Sequence, residues 1–163
     1  MGAGKSSTGK KLASKIGWNF IDSDAEIENQ TGKSIEQIFD ESGEDEFRKL
    51  EKEWIQNLDR EASIVALGGG TPCFNDLDKI LLAKGLCIWL DAPVGMLASR
   101  LENAKQDRPL ISGLTRDELE ERLTSLMAKR EPIYSKAHMI VQVSKIKVEE
   151  LSSYLRLVIE GKL

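Results

Sequence analysis

The stretch Gly2-Ala3-Gly4-Lys5-Ser6-Ser7 holds the second half of the pattern G-x-x-x-x-G-K-[ST]. Glycines there let backbone N–H groups curl around phosphate oxygens with no side chain in the way. A helix beginning at Lys5 aims its unpaired N–H groups at the same anion. Lys5 then reaches the β- and γ-phosphates of a nucleotide, and Ser6 offers its hydroxyl to Mg2+. A glycine-rich turn that merely caps a helix is the weaker account, because the helix follows where a phosphate loop requires it. The first glycine of the motif would fall upstream of Met1.

Five further groups have the chemistry to act on a small ligand beside that loop. Asp22 and Asp24, in Phe20-Ile21-Asp22-Ser23-Asp24, end a short strand pattern, the place where open α/β sheets bind ligands. Residues two apart on extended backbone point the same way, so one carboxylate can face Mg2+ while the other accepts a bond from a substrate hydroxyl. Helix capping by Asp22 or Ser23 explains one acidic residue but explains both less well. Arg48 and Glu51 are three apart and share a helix face; taken alone they read as a solvent-facing ion pair. Gly68-Gly69-Gly70 supplies more glycine than a turn needs and suggests a ligand close to the backbone. Arg108 lies in a polar loop from which an arginine can swing in, expel water and neutralise developing charge, although such a residue is more often solvated. Arg130, in Lys129-Arg130-Glu131-Pro132-Ile133-Tyr134, reads in the first instance as a cation placed well near a helix C-terminus.

The elements needed to hold these groups are legible as an α/β layer pattern with a parallel sheet, in which short apolar runs alternate with amphipathic segments. A helix is expected over 5–16, with Leu12, Ala13 and Ile16 inward and Gly17 as its stop. A strand follows at about 18–21. Ser23 with Glu26 and Ser34 with Gln37 read as capping boxes, and Gly32 and Gly43 as stops. Phe47, Leu50, Trp54 and Leu58 make one stripe at helical spacing. The runs 63–67 and 86–90 are apolar enough to be strands inside a sheet, joined by a helix around 75–84. Pro93 opens a helix ending near Leu101. The polar segment 103–114 reads as a mobile loop. Thr115 and Glu118 cap a helix carrying Leu119, Leu123, Leu126 and Met127, and a strand near 139–143 leads to a final helix with Leu151, Leu155, Val158 and Ile159.

At 163 residues the chain is one domain in size, and its 40% hydrophobic and 31% charged content is that of a globular protein. No apolar run reaches the ~20 residues needed to cross a bilayer. The formal net charge of −4 argues against a nucleic-acid partner and leaves anion binding to local basic clusters. Cys73 and Cys87 are isolated and read as reduced thiols of a cytoplasmic protein. His138 reads as a satisfied structural histidine. The three tryptophans read as packing, with Trp54 also a candidate wall of the acid site.

Taken in order, GAGKSS, FIDSD, EFRKLE, LGGGTP, DRPL and KREPIY resemble the shikimate kinases over essentially the whole chain. The resemblance implies a P-loop three-layer α/β/α fold with a five-stranded parallel sheet, a helical substrate-binding insert at about 24–58 and a lid at about 103–114, all in a single domain over 1–163. It implies ATP-dependent phosphorylation of shikimate to shikimate 3-phosphate, on the route to chorismate and the aromatic amino acids, with Mg2+ as cofactor. Residue by residue it implies that Gly2, Ala3, Gly4, Lys5, Ser6 and Ser7 hold the nucleotide phosphates, and that Ser6 and Asp22 serve Mg2+. Asp24 would hold the reacting hydroxyl and act as base. Arg48 and Arg130 would grip the carboxylate, and Gly69 and Gly70 would meet the ring. Arg108 would act on the transferred phosphate, Arg100 would lie against adenine, and Lys145 would border the adenine loop. The family's first strand feeds the phosphate loop, so the expectation is that the natural protein carries about ten more residues ahead of Met1. A monomer without nucleic-acid or membrane partners is expected. Two alternatives remain open: a related small kinase for another hydroxy acid such as gluconate or for a nucleotide, and an inactive kinase-like ligand binder.

Overall fold

The computed structural model describes residues 2–103 and 114–162. Most of the expected lid, with Arg108, lies outside the described residues. In chain order the elements are α1 (Lys5–Ile16), β1 (Asn19–Asp22), α2 (Ser23–Thr31), α3 (Ile35–Gln56), β2 (Ser63–Ala66), a 3-10 turn (Thr71–Cys73), α4 (Leu77–Lys84), β3 (Ile88–Asp91), α5 (Val94–Glu102), α6 (Arg116–Tyr134), β4 (Met139–Gln142) and α7 (Val148–Ile159). They fall into two compact units, Gly4–Gly68 with Gln142–Leu163 and Met1–Ala3 with Gly69–Val141.

In the first unit β1 and β2 pair in parallel, from Asn19 opposite Ser63 to Asp22 opposite Ala66. A parallel pair needs a long crossover, and α2 and α3 supply it. Helix α1 lies on this pair and also packs on α7. Its approach to the strands depends on Gly9: a Cβ there would stand 2.7 Å from Phe20 Cε2. Leu12 and Ala13 bury the inner face of α1 as their spacing predicts, and Gly17 ends it in left-handed backbone at φ 78°. Ser34 and Gln37 form the expected capping box of α3, and Gly43, at φ 80° and ψ 172°, breaks that helix internally. Phe47 and Trp54 of the apolar stripe are buried, whereas Leu50 and Leu58 are half-buried.

Three local expectations need correction. The strand runs one residue later than expected and takes in Asp22. The cap of α2 is Asp22, not Ser23: its extended backbone (φ −110°, ψ 119°) brings its carboxylate to the Asp24 N–H, while the Ser23 hydroxyl instead accepts from Gly68 N–H at 3.2 Å. The expectation that the 63–67 run is wholly interior also gives way, because Ser63, Ile64 and Val65 are half-buried and β2 belongs to a two-stranded sheet.

In the second unit β3 pairs with β4. Helices α5 and α6 pack on each other, burying Leu97, Ala98 and Leu101 on one and Leu119 and Leu123 on the other. Arg116, just inside the Thr115–Glu118 capping box, ties α6 to Glu102 at 2.5 Å and to the Gly95 carbonyl at 3.0 Å. Lys136 reaches Asp78 on α4 at 2.8 Å. His138 is structural as expected: its Nδ1 accepts from Cys87 N–H at 3.0 Å. Neither Cys73 nor Cys87 is in a disulfide. Among the described residues no helix is long and apolar enough to cross a membrane.

Candidate active site

The phosphate loop is built by two glycines in left-handed backbone, Gly2 at φ 69° and Gly4 at φ 84°. Gly2 is needed for space as well, since a Cβ there would lie 3.1 Å from the Leu97 carbonyl oxygen. Gly4 stands at the N-cap of α1 and brings no side-chain cap, and the first turn holds no acidic residue. A helix start is ordinarily completed by a side-chain oxygen or a carboxylate. At the start of α1 the sequence supplies neither. The Ser7 hydroxyl bonds back to the Gly4 carbonyl at 3.1 Å and tightens the turn. Arg100, expected against adenine, donates from Nη1 to the carbonyls of Gly2 and Ala3, both at 3.2 Å, and so braces the loop backbone.

Behind the loop, Asp22 closes β1 and makes two bonds. Its Oδ2 accepts from the Ser6 hydroxyl at 2.7 Å, and its Oδ1 accepts from Asp24 N–H at 3.2 Å. One carboxylate therefore both caps α2 and holds the Ser6 hydroxyl. A serine hydroxyl touching a carboxylate is a set of hard oxygen donors of the kind Mg2+ takes beside phosphates, so Ser6 and Asp22 fit that ion. Asp24 sits one step further on. Burial pushes its pKa above the usual carboxylate range, the negative charges of Asp22 and Glu51 add to this, and Lys5 and the Ser23 hydroxyl oppose it. Lys5 of α1, Asp22 of β1 and Glu51 of α3 thus all act on Asp24 of α2.

Arg48 differs from its first reading. It is not solvent-facing: its side chain is 13% exposed and that of Glu51 only 1%. Nη1 donates to Glu51 at 2.5 Å, and Nε and Nη2 both reach Glu44 Oε1, at 3.1 and 2.7 Å. Burial works against the guanidinium charge, but Glu51 and Glu44 outweigh it and hold the pKa above its usual value. Glu44 had no role in the sequence reading, yet its i,i+4 spacing to Arg48 was the available signal.

The second unit holds Gly69, Gly70 and Arg130. None of Gly68, Gly69 and Gly70 has positive φ, so the run is not there for left-handed turns. Gly70 is buried at the start of the 3-10 turn. The Tyr134 hydroxyl donates to the Gly69 carbonyl, and the Tyr134 ring lies against Trp89 with centroids 5.7 Å apart. Arg130 is half-buried one turn earlier on α6. Lys145 is exposed in the turn after β4.

A glycine loop opening an uncapped helix, with serine and aspartate meeting at the end of a parallel strand, defines a P-loop phosphotransferase. A family model described as shikimate kinase matches residues 1–160. A shikimate kinase from Chlorobium limicola is 42% identical over 161 residues, covering 93% of this chain and 80% of that protein. One from Parabacteroides distasonis is 38% identical over 150 residues, covering 91% and 87%. Among solved structures, the shikimate kinase of Bacteroides thetaiotaomicron superposes with a TM-score of 0.87 at 33% identity, covering 98% of this chain and 94% of the other. That of Acinetobacter baumannii in complex with shikimate gives 0.85 at 32%, covering 99% and 89%. The chain belongs to the shikimate kinase family. Its fold is the P-loop α/β/α class. Its reaction is the ATP- and Mg2+-dependent phosphorylation of shikimate, on the route to the aromatic amino acids.

Proposed function

We propose that the phosphoryl group is transferred by a fixed set of residues in this chain, and that Asp24 is the base. The observation that carries this is the carboxylate itself: Asp24 is held inward, its pKa raised by burial and by Asp22 and Glu51, one residue past the Ser6–Asp22 pair. A base works best with a pKa near the operating pH, which a raised carboxylate approaches. Asp24 accepts the proton of the shikimate hydroxyl as that oxygen bonds to the γ-phosphorus. The bond from phosphorus to the β,γ-bridging oxygen breaks and ADP leaves with the electron pair. Lys5 and the N–H groups at the start of α1 hold the phosphates through this change. Mg2+, held by Ser6 and Asp22, neutralises phosphate charge when bound. Gly2, Ala3 and Ser7 complete the loop, and Arg100 and Lys145 belong to the nucleotide side. Arg108 at the transferred phosphate and the lid at about 103–114 are assigned by resemblance alone.

On the acceptor side, Arg48 and Arg130 take the shikimate carboxylate, and Gly69 and Gly70 face its ring. A planar guanidinium matches a carboxylate bidentately, so two of them set orientation as well as affinity. The α2–α3 crossover, about 24–58, is the substrate-binding insert of a single domain. The protein works as a monomer in the cytoplasm, in keeping with cysteines that form no disulfide. The test is turnover with ATP and shikimate, gluconate or a nucleoside monophosphate. Shikimate alone should be phosphorylated; turnover of either of the others with shikimate untouched would sink the assignment. Size-exclusion chromatography tests the monomer.

A further inference from the structure

Tyr134 has no part in the sequence reading, yet it stands where two candidate ligand groups meet. It ends α6 four residues after Arg130, so the two side chains share a helix face. Its hydroxyl donates to the Gly69 carbonyl. The ring is pinned on its other side by Trp89 of β3, tilted at 56°. Burial raises the phenol's pKa, and the Arg130 guanidinium beside it works the other way. A phenol has one proton to donate, and here it goes to the glycine backbone. Its oxygen lone pairs remain to accept from a guanidinium, which has only donors. One hydroxyl thus fits between a main-chain carbonyl and a cation, with the polarity correct at both ends.

We propose that Tyr134 is a positioning residue for the acceptor: it locks the Gly69–Gly70 backbone to Arg130, so that ring contact and carboxylate contact keep a fixed spacing. This rests on the assignment of Arg130 and Gly69 to shikimate. Arg130 is held here by a neutral partner, which orients the fork without neutralising it. Helix α6 also contains Pro132, which brings no backbone donor to the turn between the two residues. The side-chain link supplies a constraint the weakened helix turn does not.

The experiment is steady-state kinetics on Y134F, R130A and W89F, each with a thermal melt. Y134F keeps the ring and its Trp89 packing and removes only the hydroxyl. It should raise KM for shikimate about tenfold, the equivalent of one hydrogen bond, with KM for ATP and kcat within about twofold of the parent. R130A should raise KM for shikimate more. W89F, which disturbs the ring but keeps the phenol, should lower Tm and leave KM unchanged. An unchanged KM in Y134F beside an impaired R130A overturns the proposal and spares the Arg130 assignment. A W89F shift in KM as large as that of Y134F overturns it too, because packing would then be the cause. If R130A itself leaves KM for shikimate unchanged, the assignment and the proposal both fall.

Discussion

Arg48 and Arg130 are assigned to the same ligand group but are held in opposite ways. Arg48 lies between carboxylates, with Glu51 1% exposed and Glu44 52% exposed. Arg130 has a phenol for its neighbour on the helix. The first arrangement fixes a guanidinium with charge, and it ties the proposed ligand contact to a buried ion pair of the fold. The second fixes it with a neutral hydroxyl, and leaves its full charge for an incoming anion. A buried pair adds little stability against an apolar replacement, but losing one partner is costly. Removing Arg48 should therefore damage fold and binding together, whereas removing Arg130 should damage binding alone.

The sharpest way to sharpen this contrast is D24N, because Asp24 shares the electrostatic environment of Glu51 but not of Arg130's helix. Its kcat should fall about 10²–10⁴-fold, the usual worth of a general base. Stability should move the other way. A carboxylate whose folded pKa is raised above 3.8 binds a proton that the unfolded chain releases, so the parent loses stability as pH rises through that window. D24N escapes that loss. It should melt higher than the parent at pH 7 and level with it below pH 3.8. A D24N protein that melts lower at neutral pH would show that Asp24 is stabilising and its pKa is not raised.

R48A should cost about 3–5 kcal/mol of stability by removing one partner of a buried ion pair, and should weaken shikimate binding more than ATP binding. The double variant R48M/E51L should regain most of that stability and none of the binding, which chemical denaturation and calorimetry can separate. R130A should raise KM for shikimate about 10–100-fold, since bonds to charged groups contribute about 1.5–3 kcal/mol, with little change in Tm. Equal damage to stability from R48A and R130A would erase the distinction. The smallest effect is expected from E44Q. Glu44 occupies two donors of Arg48 from an exposed position, so a ligand carboxylate has to compete with it. Weakening that grip should lower KM for shikimate about twofold, a size typical of an exposed pair.

Much of this architecture was legible in the sequence because its signals are local. Gly17 and Gly32 end their helices, and Ser34–Gln37 and Thr115–Glu118 are capping boxes, all from a few adjacent residues. The roles proposed for Lys5, Ser6 and Asp22 rest on signals of the same local kind. What spacing cannot give is burial. Arg48 and Glu51 have the pattern of an ordinary surface pair, and only the packing of α3 makes them an interior one. Nor does spacing give partners far apart in the chain. The Tyr134–Gly69 bond joins residues 65 apart, and Arg100 finds the loop carbonyls 98 and 97 positions away. The cap of α2 was misread because Asp22 and Ser23 are both good caps, and the choice was made by Gly68, distant in sequence.

With the phosphates placed at the start of α1 as proposed, the nucleotide becomes a folding ligand as well as a substrate. With Gly4 contributing no side-chain bond and no carboxylate in the first turn, that helix reaches its full worth only when phosphate lies against it. Anything that binds the folded chain and not the unfolded one stabilises it by mass action, by about 2.7 kcal/mol at a hundred times Kd, and so raises the melting point. Occupancy of the loop can thus be read as heat resistance, with no turnover at all. In a living cell the same coupling would let the supply of nucleotide govern how long each copy of the enzyme survives.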